Sequence, residues 1–382
     1  MKRRIFEDDH DLYRDGIRSF LEQEVVPYAA QWERDGIVPR ELFSKLGVIG
    51  ALGFAVPEEF GGSGVDDFRY NAVLSEEAAR AGVSSALLGP ILIADICLPY
   101  LLIMASAEQK ERWLPSVANG ETILAIAMTE PGTGSDLAGI TTRAASDGND
   151  WIVNGAKTFV TNGINADVVI TVVRTSEDRH QGLSLLLVER GMSGFERGRK
   201  LEKMGLHSQD TAELFFSSVR VPAANMLGAP GDGFPGLTQN LAQERLSIAV
   251  GAVASARAAL SMTADYVRER KAFGKSIGAQ QNTRFVMAEM STEIDIAQSF
   301  VDGCIMALVE RELTSVDAAK AKWWTTEMQG RVLDRCVQLH GGYGYMQEYP
   351  IARAWVDARV ARIYGGTTEI MKDLIGRSMQ LG

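Results

Sequence analysis

The sequence predicts an α+β protein, mostly α-helical, in which a β segment separates two helical ones. Amphipathic helical periodicity runs from residue 8 to about residue 120, short β-branched runs separated by turn residues follow, and helical periodicity returns after a Gly- and Pro-rich loop at residues 228–236. There are no alternating βαβ units and no internal repeat, so a doubly wound nucleotide-binding sheet is not supported. We expect three domains: residues 1–121 (α-helical), 122–228 (β-barrel-like, antiparallel) and 229–382 (α-helical).

Composition and charge narrow the class of protein. The chain has 382 residues, of which 46% are hydrophobic and 23% charged, which is ordinary for a folded globular protein. The formal net charge of −10 argues against a nucleic-acid partner, because such a protein needs a basic face to displace phosphate counterions. Three dispersed cysteines without a Cys-x-x-Cys spacing predict free thiols and no metal site.

The first helical segment contains amphipathic stretches at residues 12–32 and 69–80. The apolar run at residues 87–104 almost has the length of a membrane span, but it contains Asp95 and two prolines. We therefore predict a buried helix pair there and no membrane span. The N-terminus turns acidic after three basic residues and lacks the apolar stretch of a signal peptide. We expect a cytoplasmic protein if the chain is bacterial, or a mitochondrial matrix protein if it is a mature eukaryotic form.

The sequence of the central segment is typical of a β domain. Asn154-Gly155 is its strongest turn signal, since this dipeptide accepts positive φ at both positions of a two-residue hairpin. The sequence therefore predicts an antiparallel hairpin turning there. The predicted strands lie at residues 151–153, 158–161, 168–173, 183–188 and 212–216.

Glu244 is the candidate catalytic residue. It lies on a helical stripe with Leu237, Leu241, Ile248 and Ala252, at the spacing of a face turned toward a core. A carboxylate buried there is paired, held neutral, or kept as a base with a raised pKa. The adjacent Arg245 points about 100° away around the helix and is not an obvious partner. A glutamate at a helix start that faces water is the alternative.

Four polar or glycine-rich stretches could contact a ligand. The loop at residues 129–136 could aim backbone N–H groups and hydroxyls at a cofactor, although a plain turn also explains it. Residues 268–275 predict a basic helix end closing at Gly274, which either caps the helix dipole or holds a phosphate. Residues 338–345 and 363–370 form two glycine-rich loops that permit close approach, or they simply end helices. We expect His340 to be structural.

Taken in order, these motifs closely resemble the acyl-CoA dehydrogenase family of flavoproteins over essentially the whole chain. The run at residues 243–246, with those at 204–206, 209–216 and 349–352, is most similar to the long-chain branch. The five matching motifs are residues 129–136, 157–163, 270–275, 338–344 and 364–370.

The resemblance implies a helical N-terminal domain, a central β domain and a C-terminal four-helix bundle, with FAD held between domains and across a subunit contact in a homotetramer, a dimer of dimers. The residues from Thr129 to Ser135, including Gly134, would meet the flavin and the pantetheine end of the substrate. Phe159, at a position where many members carry Trp, and Thr161 would lie against the flavin ring. The implied contacts to the rest of FAD are Arg270, Phe273 and Gln281 of the neighbouring subunit, with Gln338, Gly342, Thr367 and Glu369.

One departure from the family pattern is informative. The medium-chain and short-chain branches carry their catalytic Glu at the position of Gly365. The long-chain and isovaleryl branches place the base on the earlier helix, where this chain has Glu244. The resemblance therefore implies that Glu244 removes the Cα proton of an acyl-CoA thioester and that FAD accepts the Cβ hydride. Ser135, Arg245, Gly365 and Gly366 would bind the substrate, with a backbone N–H of Gly365 or Gly366 and the flavin ribityl chain holding the thioester oxygen.

The implied product is a trans-2-enoyl-CoA, as in fatty-acid β-oxidation, and the implied electron acceptor is an electron-transferring flavoprotein. Three alternatives remain: a flavin-dependent monooxygenase of the same fold, a dehydrogenase of carrier-protein-bound acyl groups, and a non-catalytic acyl-CoA-binding protein. Acyl-chain length stays open, because Pro235 occupies a position where long-chain relatives tend to have an aromatic residue.

Overall fold

The computed structural model describes residues 3–380 and has the predicted order of helical, β and helical segments. The helices are α1 Asp8–Glu24, α2 Val26–Asp35, α3 Glu41–Val48, α4 Phe68–Arg80, α5 Ser84–Leu92, α6 Leu98–Met104, α7 Ala107–Ala118, α8 Gly233–Glu269, α9 Gln281–Val309, α10 Ser315–His340, α11 Pro350–Ala358 and α12 Thr368–Ser378. The strands are β1 Leu124–Ala127, β2 Arg143–Asp147, β3 Asp150–Thr161, β4 Val168–Arg174, β5 Leu183–Glu189, β6 Phe195–Lys200, β7 Thr211–Pro222, β8 Met226–Leu227, β9 Lys271–Ala272 and β10 Lys275–Ser276.

The predicted helix pair at residues 87–104 is wrong in detail, because α5 and α6 form one continuous helical run joined by a π-helical segment, Ile93–Cys97. Pro99 has no N–H to donate to the carbonyl of Asp95, four residues earlier. Gln243 Nε2 of α8 donates to that carbonyl instead, at 2.8 Å. A side chain from a distant helix thus satisfies the group that the proline leaves open.

Within residues 3–380, two helical stretches are long and apolar enough to cross a membrane by length and composition alone, namely Ser84–Met104 and Gly233–Glu269. Of their most apolar windows, 67% and 50% respectively is buried inside the folded chain. Core helices pass the same test, so these stretches are weak evidence for a membrane span.

The β segment forms one eight-stranded sheet in the order β6-β7-β3-β2-β4-β5-β8, with β1 also paired to β4. Most neighbours are antiparallel, but β4 pairs parallel with both β1 and β2. Strands β4 and β5 are almost entirely buried, which explains their continuous apolar sequences. Strand β3 of this sheet ends at two candidate cofactor residues, Phe159 and Thr161.

The predicted hairpin at Asn154-Gly155 is wrong, because β3 runs straight through that dipeptide. The register against β7 shifts there, so the site is a β-bulge, and Ser218 on the opposing strand takes the positive φ of 52°. The Ser218 N–H donates to Asn154 Oδ1 at 2.8 Å. The real hairpin lies between β2 and β3, where Gly148 has a φ of 62°. Pairing with β7 overrode the local turn preference.

The C-terminal segment is built on the long helices α8, α9 and α10, which pack around a shared apolar core with the short α11 and α12 against them. Helix α8 ends at Glu269, five residues before the Gly274 that was predicted to close it. Phe273 and Gly274, with φ of 52° and 79°, instead form the turn of the small β9–β10 hairpin. Helix α4 of the N-terminal segment also packs on α8, so α8 touches both helical segments.

Candidate active site

Glu244 lies on α8, eleven residues after its first residue, Gly233, but not on the face that packs in the bundle. The fully buried stripe of α8 is Leu246, Ala249, Val253 and Ala256, with the spacing of one helix face. The predicted stripe is buried at its two ends but only partly buried at Glu244 and its nearest members. Glu244 is therefore turned away from the packed core, toward the segment that precedes α12.

The Glu244 carboxyl group forms no salt bridge with any described residue. Its Oε2 atom is buried and makes no hydrogen bond within residues 3–380. Burial raises the pKa of the Glu244 carboxyl to about 7, although the charges of Arg245 and Lys322 oppose that rise. A carboxyl group with a pKa near neutrality is half ionised at pH 7, which suits a general base. The alternative of a solvent-facing helix-start glutamate is wrong.

The backbone facing Glu244 is the turn formed by Gly365 and Gly366. A Cβ atom placed on Gly365 would lie 3.7 Å from Glu244 Oε1, so the carboxylate and this turn share one small space. The two glycines have φ of 62° and 94°, a region that L side chains rarely adopt. Within the described part of the chain, neither glycine N–H has a hydrogen-bond acceptor. Two successive free N–H groups form a concavity that can receive an oxygen atom.

Arg245 and Lys322 supply positive charge beside this turn. Arg245 is only 6% exposed and its Nε is buried without a partner. Its Nη2 lies 4.0 Å from where a Cβ of Gly366 would be. Lys322 of α10 is fully buried, and its Nζ donates to the Gly366 carbonyl at 2.5 Å. The expectation that Arg245 does not pair with Glu244 agrees with the structure, which has no salt bridge between them among its described residues.

The loop at residues 129–136 is anchored by a buried ion pair. Lys157 Nζ of β3 donates to Glu130 Oε1 at 2.9 Å, and the backbone N–H groups of Thr141 and Thr142 donate to the same carboxylate. Burial alone would raise the pKa of Glu130, but Lys157 and these hydrogen bonds outweigh it and bring the pKa down to about 2. The ionised Glu130 thus holds the loop in place. Gly134 and Ser135 remain exposed beyond this anchor.

The end of β3 presents Phe159 and Thr161. The Thr158 N–H donates to the Thr129 carbonyl at 2.9 Å, which joins this strand end to the anchored loop. Phe159 has a φ of 58° and its side chain is 68% exposed. A bulky residue with positive φ is strained, and strain of this kind concentrates at ligand sites. The buried Asn162 follows and donates to carbonyls of Gly89 and Leu124, fixing the strand end to the N-terminal helices.

A second group of candidate residues gathers at the far end of α8. Arg270 follows the last residue of that helix, and its guanidinium lies 5.5 Å from the ring centroid of Tyr343, in the loop after α10. It has no ion-pair partner among the described residues. Phe273 is 96% exposed at positive φ. The other members are exposed as well: Gln281 at the start of α9, Gln338 near the end of α10, and Gly342.

The two groups are far apart within one chain. Arg270 follows Glu244 by 26 residues, 25 of them within α8, which corresponds to about 39 Å along an α-helix. Thr367 and Glu369 lie on the Glu244 side, at the start of α12, where the Thr367 hydroxyl caps the helix by accepting from the Ile370 N–H. The structure therefore brings Glu244, Arg245, Gly365 and Gly366 together, but it does not bring Arg270 or Phe273 to them.

The end of α6 packs against the start of α8 beside an open groove. A Cβ on Gly236 would lie 2.6 Å from Met104 Sδ, so the start of α8 is packed against the end of α6. An open groove of about 300 Å³ lies beside this contact, lined by Ile103, Met104, Gly228, Asp232, Pro235, Gly236 and Gln239. Tyr100, one turn before Met104, is fully buried and its hydroxyl has no partner in the described chain.

The sequence analysis gave no role to Glu130, Lys157, Lys322 or Tyr100, although Glu130 and Lys157 lie inside two of the matching motifs. A lysine inside an amphipathic helix or a strand is normally assigned to the solvent face, so periodicity gave no reason to select Lys157 or Lys322. Their burial depends on which distant backbone and side chains they meet. His340, by contrast, is structural as expected, with its ring stacked on Tyr266 at 4.2 Å and Nδ1 within 2.8 Å of the Cys336 carbonyl.

The residues present suit an aromatic ring system that carries phosphates. Two strained, exposed phenylalanines offer faces for stacking. Arg270 offers a phosphate a guanidinium that forms no ion pair with any described residue. A Cβ placed on Gly341 or Gly342 would meet no atom within 4 Å, so open space lies beside that backbone. FAD has the matching parts, an isoalloxazine ring, a pyrophosphate and an adenine.

Comparison with known proteins identifies the family. Models of the acyl-CoA dehydrogenase N-terminal, middle and C-terminal domains match residues 7–121, 125–219 and 231–380. The long-chain specific acyl-CoA dehydrogenase of Sus scrofa mitochondria is 48% identical over 380 residues, which cover 99% of this chain and 88% of the relative.

Solved structures agree with this result. The acyl-CoA dehydrogenase of Geobacillus kaustophilus has a TM-score of 0.97 and 47% identity, covering 100% of both chains. A glutaryl-CoA dehydrogenase from Mycobacterium smegmatis in complex with FADH2 has a TM-score of 0.90 and 27% identity, covering 98% of this chain and 95% of that one.

Proposed function

Because this chain belongs to the acyl-CoA dehydrogenase family, we propose that it converts a saturated acyl-CoA to the trans-2-enoyl-CoA with Glu244 as the base. Glu244 removes a proton from Cα, and the N–H groups of Gly365 and Gly366 hold the thioester oxygen as negative charge develops there. The observation that supports these roles most strongly is the Glu244 carboxyl group, whose buried Oε2 bonds to no described residue, next to a turn whose two N–H groups also have no acceptor there.

The cofactor of this enzyme is FAD, which the family requires. When bound, FAD supplies the acceptor for the hydride that leaves Cβ. We assign Thr129, Gly134, Ser135, Phe159, Thr161, Thr367 and Glu369 to the flavin side of its site, and Arg270, Phe273, Gln281, Gln338 and Gly342 to the pyrophosphate and adenine side.

The role of Arg245 follows from its position behind the glycine turn. Its buried guanidinium lies next to Gly366 and has no carboxylate partner in residues 3–380. A fixed positive charge there favours the negative charge that forms on the thioester as the proton leaves. Ser135, on the exposed side of the anchored loop, would contact the pantetheine part of the substrate.

The test is anaerobic mixing of the purified yellow protein with acyl-CoAs of increasing length, straight and branched, while flavin absorbance is followed. Bleaching by one subset is expected, and that subset defines the acyl chain that the groove between α6 and α8 accepts. A protein that holds FAD but is bleached by no acyl-CoA contradicts the proposal. That result would favour an acyl group on a carrier protein, or the monooxygenase reaction.

We further propose that two copies of the chain complete each cofactor site, within a homotetramer. The separation of about 39 Å between Glu244 and Arg270 along α8 exceeds the reach of one dinucleotide, so the two groups serve different FAD molecules. The surface of α9 supports assembly, since Phe285, Ile296 and Phe300 lie on one helix face and are 57%, 61% and 40% exposed.

Subunit complementation measures this sharing. Glu244→Gln chains and Arg270→Ala chains, co-expressed under two affinity tags and purified through both, are expected to be active although each homo-oligomer is not. In the mixed assembly, the Glu244 of one chain meets the Arg270 of the other. A doubly substituted chain paired with itself is the control, and it is expected to stay inactive. If the mixed assembly is as inactive as this control, each site lies within one chain.

The electron acceptor is the remaining part of the proposal. As in the family, an electron-transferring flavoprotein would reoxidise the reduced enzyme, which would place it in fatty-acid β-oxidation. Turnover that depends on an added electron-transferring flavoprotein supports this assignment, and fast reoxidation by oxygen alone contradicts it.

A further inference from the structure

Lys322 is a lysine buried in the interior of the protein. Its side chain is fully buried in α10, and among the described residues it makes no salt bridge. The side chain makes one hydrogen bond to a described residue, donated from Nζ to the Gly366 carbonyl at 2.5 Å. Burying an ammonium group costs free energy unless charges or hydrogen bonds compensate it, so this placement requires an explanation.

The turn that Lys322 contacts has little else to hold it. Gly365 and Gly366 have no side chains, both have positive φ, and neither N–H donates to a protein group within residues 3–380. Two glycines in series leave the backbone free to take many conformations. The bond from Lys322 to the Gly366 carbonyl restricts the conformations of the turn and so fixes the position of its two N–H groups.

Charged and titratable groups surround Glu244 and Lys322 on several elements. Lys322 is close enough to Glu244 for their charges to interact, and Arg245 acts on both. The carboxylates of Glu327 in α10 and Glu369 in α12 also act on Lys322, opposing the lowering of its pKa by burial. Burial raises the pKa of three nearby groups, and the charge of Glu244 adds to that rise: Cys97 of the π-helical segment, Tyr100 of α6 and Tyr364 before the turn.

We propose that Lys322 is a positioning residue for the reaction, which fixes the Gly365–Gly366 turn through the Gly366 carbonyl and adds positive charge beside Glu244. This inference rests on the proposed function, because it assumes that Glu244 is the base. Lys322 does not touch the reacting atoms. It acts through the turn that receives the thioester oxygen and through the electrostatic effect of its charge on the Glu244 carboxylate.

The two effects of Lys322 have different signatures. Its positive charge stabilises the ionised carboxylate, so loss of the charge raises the pKa of Glu244 further and moves the acid limb of the rate profile to higher pH. Its hydrogen bond orders the turn for the transition state, so loss of the bond lowers kcat more than it raises KM. A residue that only supports the fold would lower stability without moving the limb.

The experiment compares three holoenzyme variants, Lys322→Met, Lys322→Gln and Lys322→Arg, in the pH dependence of flavin reduction by a bleaching acyl-CoA. In Lys322→Met and Lys322→Gln, we expect the acid limb of the rate profile to move up by about one pH unit. A nearby opposite charge shifts the pKa of a carboxyl group by about that much. Lys322→Arg is expected to return it to the wild-type position. Lys320→Met is the matched control, because Lys320 lies two residues away on α10 and pairs with Asp317 at the surface. Its limb is expected to stay in place.

The inference is overturned if the limb stays in place when the charge is lost, or if Lys322→Arg shifts it as much as Lys322→Met does. If Lys322→Met does not retain FAD, Lys322→Gln decides, because it keeps a donor for the turn while removing the charge. Failure of the proposed function is seen separately. If Glu244→Gln reduces its flavin at the wild-type rate, Glu244 is not the base. If Glu244→Gln is inactive but the acid limb does not move in the Lys322 variants, only the role of Lys322 is rejected.

Discussion

Glu244→Gln should lower the rate of flavin reduction by about 10²–10⁴-fold, the usual contribution of a positioned general base. The amide keeps the shape of the side chain but cannot take a proton from Cα. FAD content and acyl-CoA binding are expected to be unchanged, since Glu244 Oε2 makes no hydrogen bond to any described residue. Anaerobic stopped-flow spectroscopy measures the rate, and equilibrium titration measures binding.

Glu310→Gln makes the same chemical change at an exposed residue after the end of α9, where no described residue forms an ion pair with the side chain. Its rate should equal that of the wild type. Wild-type reduction in Glu244→Gln would reject Glu244 as the base.

The pH dependence of the wild-type rate belongs to the same prediction. Only the ionised carboxylate accepts a proton, and burial raises its pKa to about 7, so the rate should fall about tenfold for each pH unit below that value. Above it the rate should reach a plateau. The limb should be absent from the residual rate of Glu244→Gln. A wild-type profile that is flat between pH 5 and 8 would show that no carboxyl group with a raised pKa limits the reaction.

The second large effect is recovery of activity when the carboxylate is moved to the facing backbone. Glu244→Gly combined with Gly365→Glu places a carboxylate on the turn, where a Cβ lies 3.7 Å from the original Oε1. The same Cβ would lie 2.3 Å from Ile248 Cδ1, and the position has a φ of 62°, which costs an L residue about 1–2 kcal/mol. We therefore expect weak recovery from this pair and at least roughly tenfold more once Ile248→Ala removes the clash, which is about 1.4 kcal/mol in the barrier.

Gly366→Glu in the same Glu244→Gly, Ile248→Ala background is the matched control. It adds the same carboxylate one residue away, toward Arg245 and Met371, and should recover nothing. Steady flavin reduction, FAD content and thioester binding are measured for each variant. The variant with glutamate at position 365 is compared with the Glu244→Gly, Ile248→Ala protein from which it is made. If it binds both FAD and the thioester yet reduces flavin no faster than that protein, side chains at positions 244 and 365 do not reach the same Cα.

Local sequence patterns predicted the fold class well but failed where distant strands or helices decide. The order of helical, β and helical segments follows from periodicity, which each segment carries by itself. Asn154-Gly155 has strong turn chemistry, but hydrogen bonds to β7 on both sides of it favour a bulge. In the same way, Asp95 and Pro99 predicted a break between two helices, and Gln243 of α8 closes that break.

For the site, the sequence by itself determined which residues to consider, because five ordered motifs and the glutamate at position 244 are properties of the linear chain. Tertiary structure alone decided what surrounds that glutamate. It turns Glu244 away from the bundle core and toward Gly365, leaves its Oε2 unpaired, and buries Lys322 against the Gly366 carbonyl. The physical reason is that periodicity specifies which residues share a helix face, while desolvation and charge depend on contacts between residues far apart in the chain.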